Sequence, residues 1–125
     1  ADLATHYGAS RCRVTTDLER DIAAAQGVVN ATQVGMRGFP GNPVPTSALK
    51  ASHWAADVIY TPIETEFIKA AAAKGARVLN GGGMCVHQAA EAFRLFTGIE
   101  PDVARMHRAF ATALAARERG TNETP

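Results

Sequence analysis

The sequence predicts an α/β fold, a parallel sheet flanked by helices with further helices at the C-terminal end, and three observations predict it. Short apolar runs rich in β-branched residues alternate with helix-length segments of about ten residues. Capping signals or glycines separate the two kinds of segment. The chain has 125 residues, 46% hydrophobic and 20% charged, the size and composition of one globular domain.

Taken in order, Ala1 to Tyr7 reads as the last turns of a helix ending at Gly8, so the chain opens in mid-element, as a fragment of something longer would. Cys12 to Thr15 (CRVT) has strand composition. Thr16 to Glu19 (TDLE) is a capping box, with the Thr16 hydroxyl capping the Glu19 N–H, and a helix follows to Gln26. Val28 to Ala31 (VVNA) is a second short strand. Thr32 to His53 carries Gly35, Gly38, Pro40, Gly41, Pro43 and Pro45, too much punctuation for a regular element, and is expected to be a long loop of the functional kind. Trp54 to Tyr60 (WAADVIY) reads as a buried strand. Thr61, Pro62 and Glu64 form a second capping box, with proline at the first helical position, and open a helix that stops at Gly75.

Ala76 to Leu79 (ARVL) is the fourth strand, and it delivers the chain to NGGGMCVHQAAEAFRLFTG (80–98). Three glycines there run into an amphipathic helix, a junction at which backbone N–H groups lie open to a ligand. At 100° per residue His87, Glu91 and Arg94 share a solvent face, and Cys85, Ala89, Ala92, Phe93 and Phe96 share the face expected to meet the core. Gln88 lies on the flank, where its amide can donate and accept toward a cleft or stay solvated on the rim. Gly98 ends the helix. Val103, Met106, Phe110, Ala113 and Leu114 then mark a last helix from Pro101 to Arg119, before a polar tail, 120–125, expected to be disordered.

Strands separated by helices imply right-handed crossovers and a parallel sheet with helices on its faces, and such sheets bind ligands beyond the carboxyl ends of their strands. Asn30 to Thr32, Tyr60 with Thr61, and Gly81 to Met84 all lie just past strand ends. Asp57, inside a strand, is expected to orient a backbone. A Cys85 nucleophile served by His53 or His87 is disfavoured, because the wheel buries the thiol and turns His87 outward. The four histidines show no metal-binding spacing, and Cys12 and Cys85 are expected to be reduced core thiols. Thirteen basic and twelve acidic residues, interspersed, give no footprint for nucleic acid or an anionic membrane. With no signal-type start and no membrane-length apolar run, a cytoplasmic location is expected. The glycines at 81–83 are not a dinucleotide fingerprint, because GxGxxG from Gly81 would need glycine where Val86 stands.

VVNATQVGM (28–36), DVIYTPIETEFIKAAAAKGARVLNGGGMCVHQAAEAFRLFTG (57–98) and EPDVARM (100–106) closely resemble the C-terminal part of shikimate dehydrogenases, the quinate/shikimate variants included. The resemblance covers nearly the whole chain. It implies that residues 1–119 are the C-terminal portion of an NAD(P)-binding domain of Rossmann type, beginning after its first strand and glycine loop. It implies NADP or NAD as cofactor, and reversible interconversion of 3-dehydroshikimate and shikimate in aromatic amino-acid biosynthesis. Carried over, it places Asn30, Ala31 and Thr32 along the cofactor cleft, Val58 and Gly81 at the nicotinamide end with Met84 beside it, and Tyr60 and Gln88 at the carboxylate and hydroxyl side of shikimate. Gln33 stands where the family usually has proline and is expected to touch no ligand. The middle glycine of GGGM stands where leucine is common.

The catalytic lysine and its aspartate partner belong to the N-terminal substrate domain in that family and are absent here, so this chain is assigned no catalytic residue. The partners implied are shikimate or quinate and the missing substrate domain. Alternatives are a quinate/shikimate dehydrogenase of NAD-linked quinate catabolism, another two-domain NAD(P) dehydrogenase, and a non-catalytic binding module. An uncovered sheet edge predicts association, with a homodimer as one form.

Overall fold

A computed structural model describes residues 2–8 and 10–120. Helices α1 (Asp2–Tyr7) and α2 (Leu18–Ala24) lead to strand β1 (Gly27–Asn30). A long loop with a single 3-10 turn at Thr46–Ala48 leads to β2 (Trp54–Asp57), followed by α3 (Glu66–Ala73), β3 (Arg77–Leu79), α4 (Gly81–Thr97) and α5 (Val103–Gly120). The strands form one parallel sheet in the order β1-β2-β3. Asn30 stands beside Asp57, and Ala56 beside Leu79, so all three carboxyl ends lie along one rim.

The sheet is covered on one face. Val28, Ala55 and Asp57 point toward α2, α3 and the 3-10 turn, where Phe67 is wholly buried among Ile22, Ala48, Leu49, Ala55, Ile68 and Ala71. The alternate residues Val29, Trp54 and Leu79 face outward and are exposed. The expectation of helices on both faces therefore holds on one face only, and β2 is a half-buried strand that ends at Asp57, short of Tyr60.

Two of the expected starts move. Cys12 to Thr15 forms no strand: Arg13 pairs with Asp21 at 2.8 Å and the Thr15 hydroxyl accepts from the Asp17 N–H at 3.0 Å, so the segment is tied to α2 instead of to the sheet. The Arg13 hydrogen bond, helped by Thr15 and Arg20, holds the Asp21 carboxyl well below the usual carboxylate range. Helix α2 is capped by Asp17, whose carboxylate accepts from Arg20 N–H at 3.0 Å, and not by Thr16. Helix α3 likewise starts at Thr65 and not at Thr61. Pro62 follows a cis peptide in the bend before the helix, and the Thr65 hydroxyl accepts from the Ile68 N–H at 3.3 Å.

Helix α4 begins and ends as its residues require. The Asn80 side chain accepts from the Gly82 N–H at 3.1 Å, and Gly98 closes the helix at φ +69°, where an L side chain would be strained. At Gly81 the helix presses on the chain leaving β2: its N–H donates to the Ile59 carbonyl at 3.2 Å, and a Cβ there would lie 2.5 Å from that oxygen. A Cβ at Gly82, the position where leucine is common in the resembling family, would lie 2.8 Å from Ile63 Cδ1, so Ile63 occupies that space here.

His87, Glu91 and Arg94 are exposed as the wheel predicts, and Arg94 Nε bonds Glu91 at 3.0 Å, which holds the Glu91 carboxyl below its ordinary range. The opposite face is a correction: Gly82, Val86 and Ala90 are buried, Cys85 and Ala92 are half-buried, and Ala89, Phe93 and Phe96 are exposed. Both cysteines are free and half-buried instead of lying in the core. Helix α5 extends through Gly120, one residue past the expected boundary, and residues 121–125 of the expected tail lie outside the described residues. No helix among the described residues is long and apolar enough to cross a membrane.

Candidate functional site

Where the chain leaves β1 and β2, the strand ends are braced by a buried polar network. Asp57, 4% exposed, accepts at Oδ1 from Asn30 Nδ2 at 3.1 Å and from the Ile59 N–H at 3.0 Å. Its Oδ2 accepts from the Thr65 hydroxyl at 2.6 Å. Asn30, 2% exposed, also donates from Nδ2 to the Val34 carbonyl at 3.0 Å. Its Oδ1 accepts from the Thr32 N–H at 3.1 Å and the Thr32 hydroxyl at 2.7 Å. A buried carboxylate with three donors is stabilised where it sits, and each bond to it is worth about 1.5–3 kcal/mol. One carboxylate thus sets the path of both loops, 30–34 through Asn30 and 57–61 through the Ile59 amide.

Between these loops and the far end of α5 lies a cleft of about 510 Å³, lined by Thr32, Gln33, Met36, Arg37, Val58, Ile59, Tyr60, Thr61 and Arg117. Its lining is mostly apolar and also carries hydroxyls, an amide and two guanidiniums, the mixture that binds a small polar molecule with a ring or chain to bury. The Tyr60 ring lies 6.3 Å from Phe110 of α5, and Tyr60, Thr61 and Arg117 also line a smaller neighbouring cavity of about 230 Å³ that Cys85 borders.

Of the residues expected at a site, the cleft gathers Thr32, Val58 and Tyr60. Gly81 abuts its floor through Ile59. The Asn30 side chain is buried beneath the cleft with its amide fully engaged, so it shapes the wall and does not present itself to a ligand. Ala31, Met84 and Gln88 are exposed and do not line the cleft. Gln33, expected to touch no ligand, is part of the lining. Asp57 orients backbone and side chains as expected.

Sequence reasoning missed Thr65, Arg37 and Arg117. Thr65 carried a signal, since it directly precedes the apolar-periodic Phe67, Ile68 and Ala71. The arginines carried none, because only the folded chain brings residues 37 and 117 to the same cleft. The disfavoured thiol chemistry gains no partner: His53 is buried and accepts at Nδ1 from the Lys50 N–H at 3.2 Å, and the His87 ring packs at 5.3 Å against His107.

A parallel sheet flanked by helices, with a cleft beyond the carboxyl ends of adjacent strands, is the arrangement of Rossmann-type folds. The family model for the shikimate 5'-dehydrogenase C-terminal domain matches residues 81–109. The quinate/shikimate dehydrogenase (NAD(+)) of Corynebacterium glutamicum strain R is 56% identical over 93 residues, 74% of this chain and 33% of that protein. The shikimate dehydrogenase (NADP(+)) of Arthrobacter sp. strain FB24 is 48% identical over 106 residues, 85% of this chain and 36% of that protein. Among solved structures, quinate dehydrogenase from Corynebacterium glutamicum in complex with NAD superposes with a TM-score of 0.73 at 55% identity, over 76% of this chain and 34% of that one. In sequence and fold the chain corresponds to the C-terminal part of the shikimate dehydrogenase family, its quinate/shikimate members included. It spans about a third of the length of the curated relatives it matches.

Proposed function

We propose that these residues form the C-terminal part of the dinucleotide-binding domain of a shikimate dehydrogenase, which interconverts 3-dehydroshikimate and shikimate with NADP or NAD. The observation that carries the reading is the convergence of two segments matching that family, residues 30–36 and 58–61, on a single cleft at the carboxyl ends of adjacent strands. Residues 1–119 would then be the part of the domain after its first strand and glycine loop.

The residues present fit the nicotinamide half of such a cofactor. Val58 and Ile59 offer an apolar floor, Thr32 and Thr61 hydroxyls stand at its edge, and Asn30 and Ala31 shape the turn behind it. Gly81 and Met84 would bound the same end across the start of α4. When bound, the dinucleotide supplies the hydride acceptor or donor. The chain's own task is to hold the ring against Val58 and to orient the alcohol, with the Tyr60 hydroxyl and the Gln88 amide reaching the substrate's carboxylate and hydroxyl. Among the described residues the cleft lining offers no lysine, histidine or carboxylate, and this reading takes the base for the alcohol proton from outside the lining. An N-terminal substrate domain bearing a lysine and aspartate would supply that base.

That domain, the rest of the dinucleotide domain or a second copy of this chain would also cover the outward sheet face at Val29, Trp54 and Leu79. The free thiols Cys12 and Cys85 suit a reducing cytoplasmic setting. A second reading, quinate/shikimate dehydrogenase with NAD, is supported by the Corynebacterium relative, 56% identical over 93 residues, but is not favoured over the first, since the Arthrobacter shikimate dehydrogenase is 48% identical over 106.

The test is intact mass of the natively isolated protein together with a dehydrogenase assay on shikimate and quinate, each with NAD and NADP. Turnover in a species larger than this chain, or in a complex with a second polypeptide, is expected, and the preferred pair decides between the two readings. A bare 13.2 kDa species without turnover or dinucleotide binding would overturn both and leave a non-catalytic module.

A further inference from the structure

Helix α4 carries a face composed like a core face that the described residues leave open. Its polar residues His87, Glu91 and Arg94 share one side, and Gly82, Val86 and Ala90 are buried. The remaining side holds Met84, Ala89, Phe93, Leu95 and Phe96, all exposed, with the Gln88 amide among them. From Met84 to Phe96 this face runs about 18 Å along the helix, and Ile99, 61% exposed, continues it past the Gly98 cap. Its large apolar residues leave on the order of 600 Å² open, the top of the range for one patch on a monomeric protein. Matched by an equal area of a partner, that makes roughly 1,200 Å², within the range of interfaces between domains and below the roughly 2,000 Å² or more of a permanent homodimer. The chain spans about a third of the relatives it matches, so most of such a protein lies outside these residues. Gln88 does not line the cleft at the strand ends, and an amide closed in among apolar groups requires a partner.

We propose that this face of α4 is the docking surface for a folded segment outside residues 1–125, which sets apolar side chains against Phe93, Leu95 and Phe96 and brings a hydrogen-bonding group to Gln88. The identity of that segment rests on the dehydrogenase reading: it is the substrate domain, and the group at Gln88 is the bound cyclic acid. The face begins at Met84, within one turn of the Gly81 contact with Ile59, so a domain seated on it stands beside the rim of the strand ends.

The experiment uses the protein as it is produced in its own cells. Hydroxyl-radical footprinting is run on the unsubstituted protein, and a photo-crosslinking Phe96→p-benzoylphenylalanine variant is mapped by mass spectrometry. Oxidation of Leu95 and Phe96 is expected to be largely lost at every protein concentration, while His87, on the polar side of the same helix, is oxidised freely. The crosslink is expected on a peptide outside residues 1–125. A crosslink to a second copy of residues 1–125, with protection that disappears on dilution, would make the face a self-association surface and overturn the proposal. Free oxidation of Phe96, or no crosslink, would overturn it as well. Phe96→Asp adds a kinetic readout: because Phe96 is exposed in this chain, the variant keeps the fold, which circular dichroism checks. It is expected to raise the KM for shikimate roughly tenfold or more and to leave dinucleotide affinity unchanged. Unchanged kinetics would overturn the proposal. A crosslink outside residues 1–125 in material without turnover would uphold the docking surface and overturn the dehydrogenase reading, and turnover with a freely oxidised Phe96 would do the reverse.

Discussion

Phe67 in α3 and Phe96 in α4 are both aromatic residues on apolar faces of helices that follow strands, yet Phe67 is completely buried and Phe96 is 89% exposed. The difference is one of length. Helix α3 has eight residues, about 12 Å, which matches strands of three or four residues spanning about 10–13 Å, so its whole apolar face lies on the sheet. Helix α4 has seventeen residues, about 25 Å, and only its first half meets the body of the domain. Gly82, Val86 and Ala90 are covered, and beyond them Phe93, Leu95, Phe96 and Ile99 emerge into the open. Periodicity identifies which residues share a face; how much of that face is covered depends on what lies under it.

The largest effect that would break this contrast is in the core. Phe67→Ala is expected to cost about 3–5 kcal/mol of unfolding free energy, through lost burial and the cavity left behind. Phe96→Ala should change it by less than about 0.5 kcal/mol. Urea denaturation of the two variants decides. A comparable loss at Phe96 would mean that the end of α4 is covered in solution, and the midpoint would then depend on protein concentration.

The same contrast separates the two loops of the cleft from the overhanging helix. The loops are tied from below by Asp57, Asn30 and Thr65, so Thr65→Val, nearly isosteric, removes both the cap of α3 and a donor to a buried carboxylate. The expected cost is about 2–4 kcal/mol, with faster amide exchange at Thr32 and Ile59 together, since both N–H groups depend on the network that Thr65 completes. Exchange that rises at Ile59 while Thr32 keeps its protection would show that the two walls are independent.

Much of the architecture was legible because it depends on neighbours in sequence. The VVNA strand, the glycine- and proline-punctuated loop, the Gly75 stop and the Gly98 cap all rest on local backbone preferences, and all are found. What misled was choice among equivalent local signals. Thr16 and Asp17, or Thr61 and Thr65, are equally good caps in isolation; Thr65 prevails because its hydroxyl can also donate to Asp57, a residue eight positions earlier that reaches it only across the fold. CRVT has strand composition, but Arg13 is drawn to Asp21 and ties the segment to α2 and not to the sheet. The cleft was half legible: strand ends pointed to Thr32, Val58 and Tyr60, while the two arginines come from segments eighty residues apart that no spacing relates.

The smallest expected effect sharpens the contrast at the point where α4 leaves the cleft. A Cβ at Gly81 would collide with the Ile59 carbonyl oxygen, whereas at Gly83 it would meet nothing within 4 Å. Gly83 has no positive φ, so its glycine serves neither a turn nor a close approach within this chain. Gly83→Ala should therefore stabilise the fold by about 0.5–1 kcal/mol, by restricting the unfolded chain and favouring helix. A stabilised variant that binds dinucleotide as the parent does would make Gly83 a neutral part of the helix start. A stabilised variant that binds it less well would mean that the space beside Gly83, empty of protein, is where the ligand approaches the N-terminal turn of α4, and the overhanging helix would then belong to the site through its first turn alone.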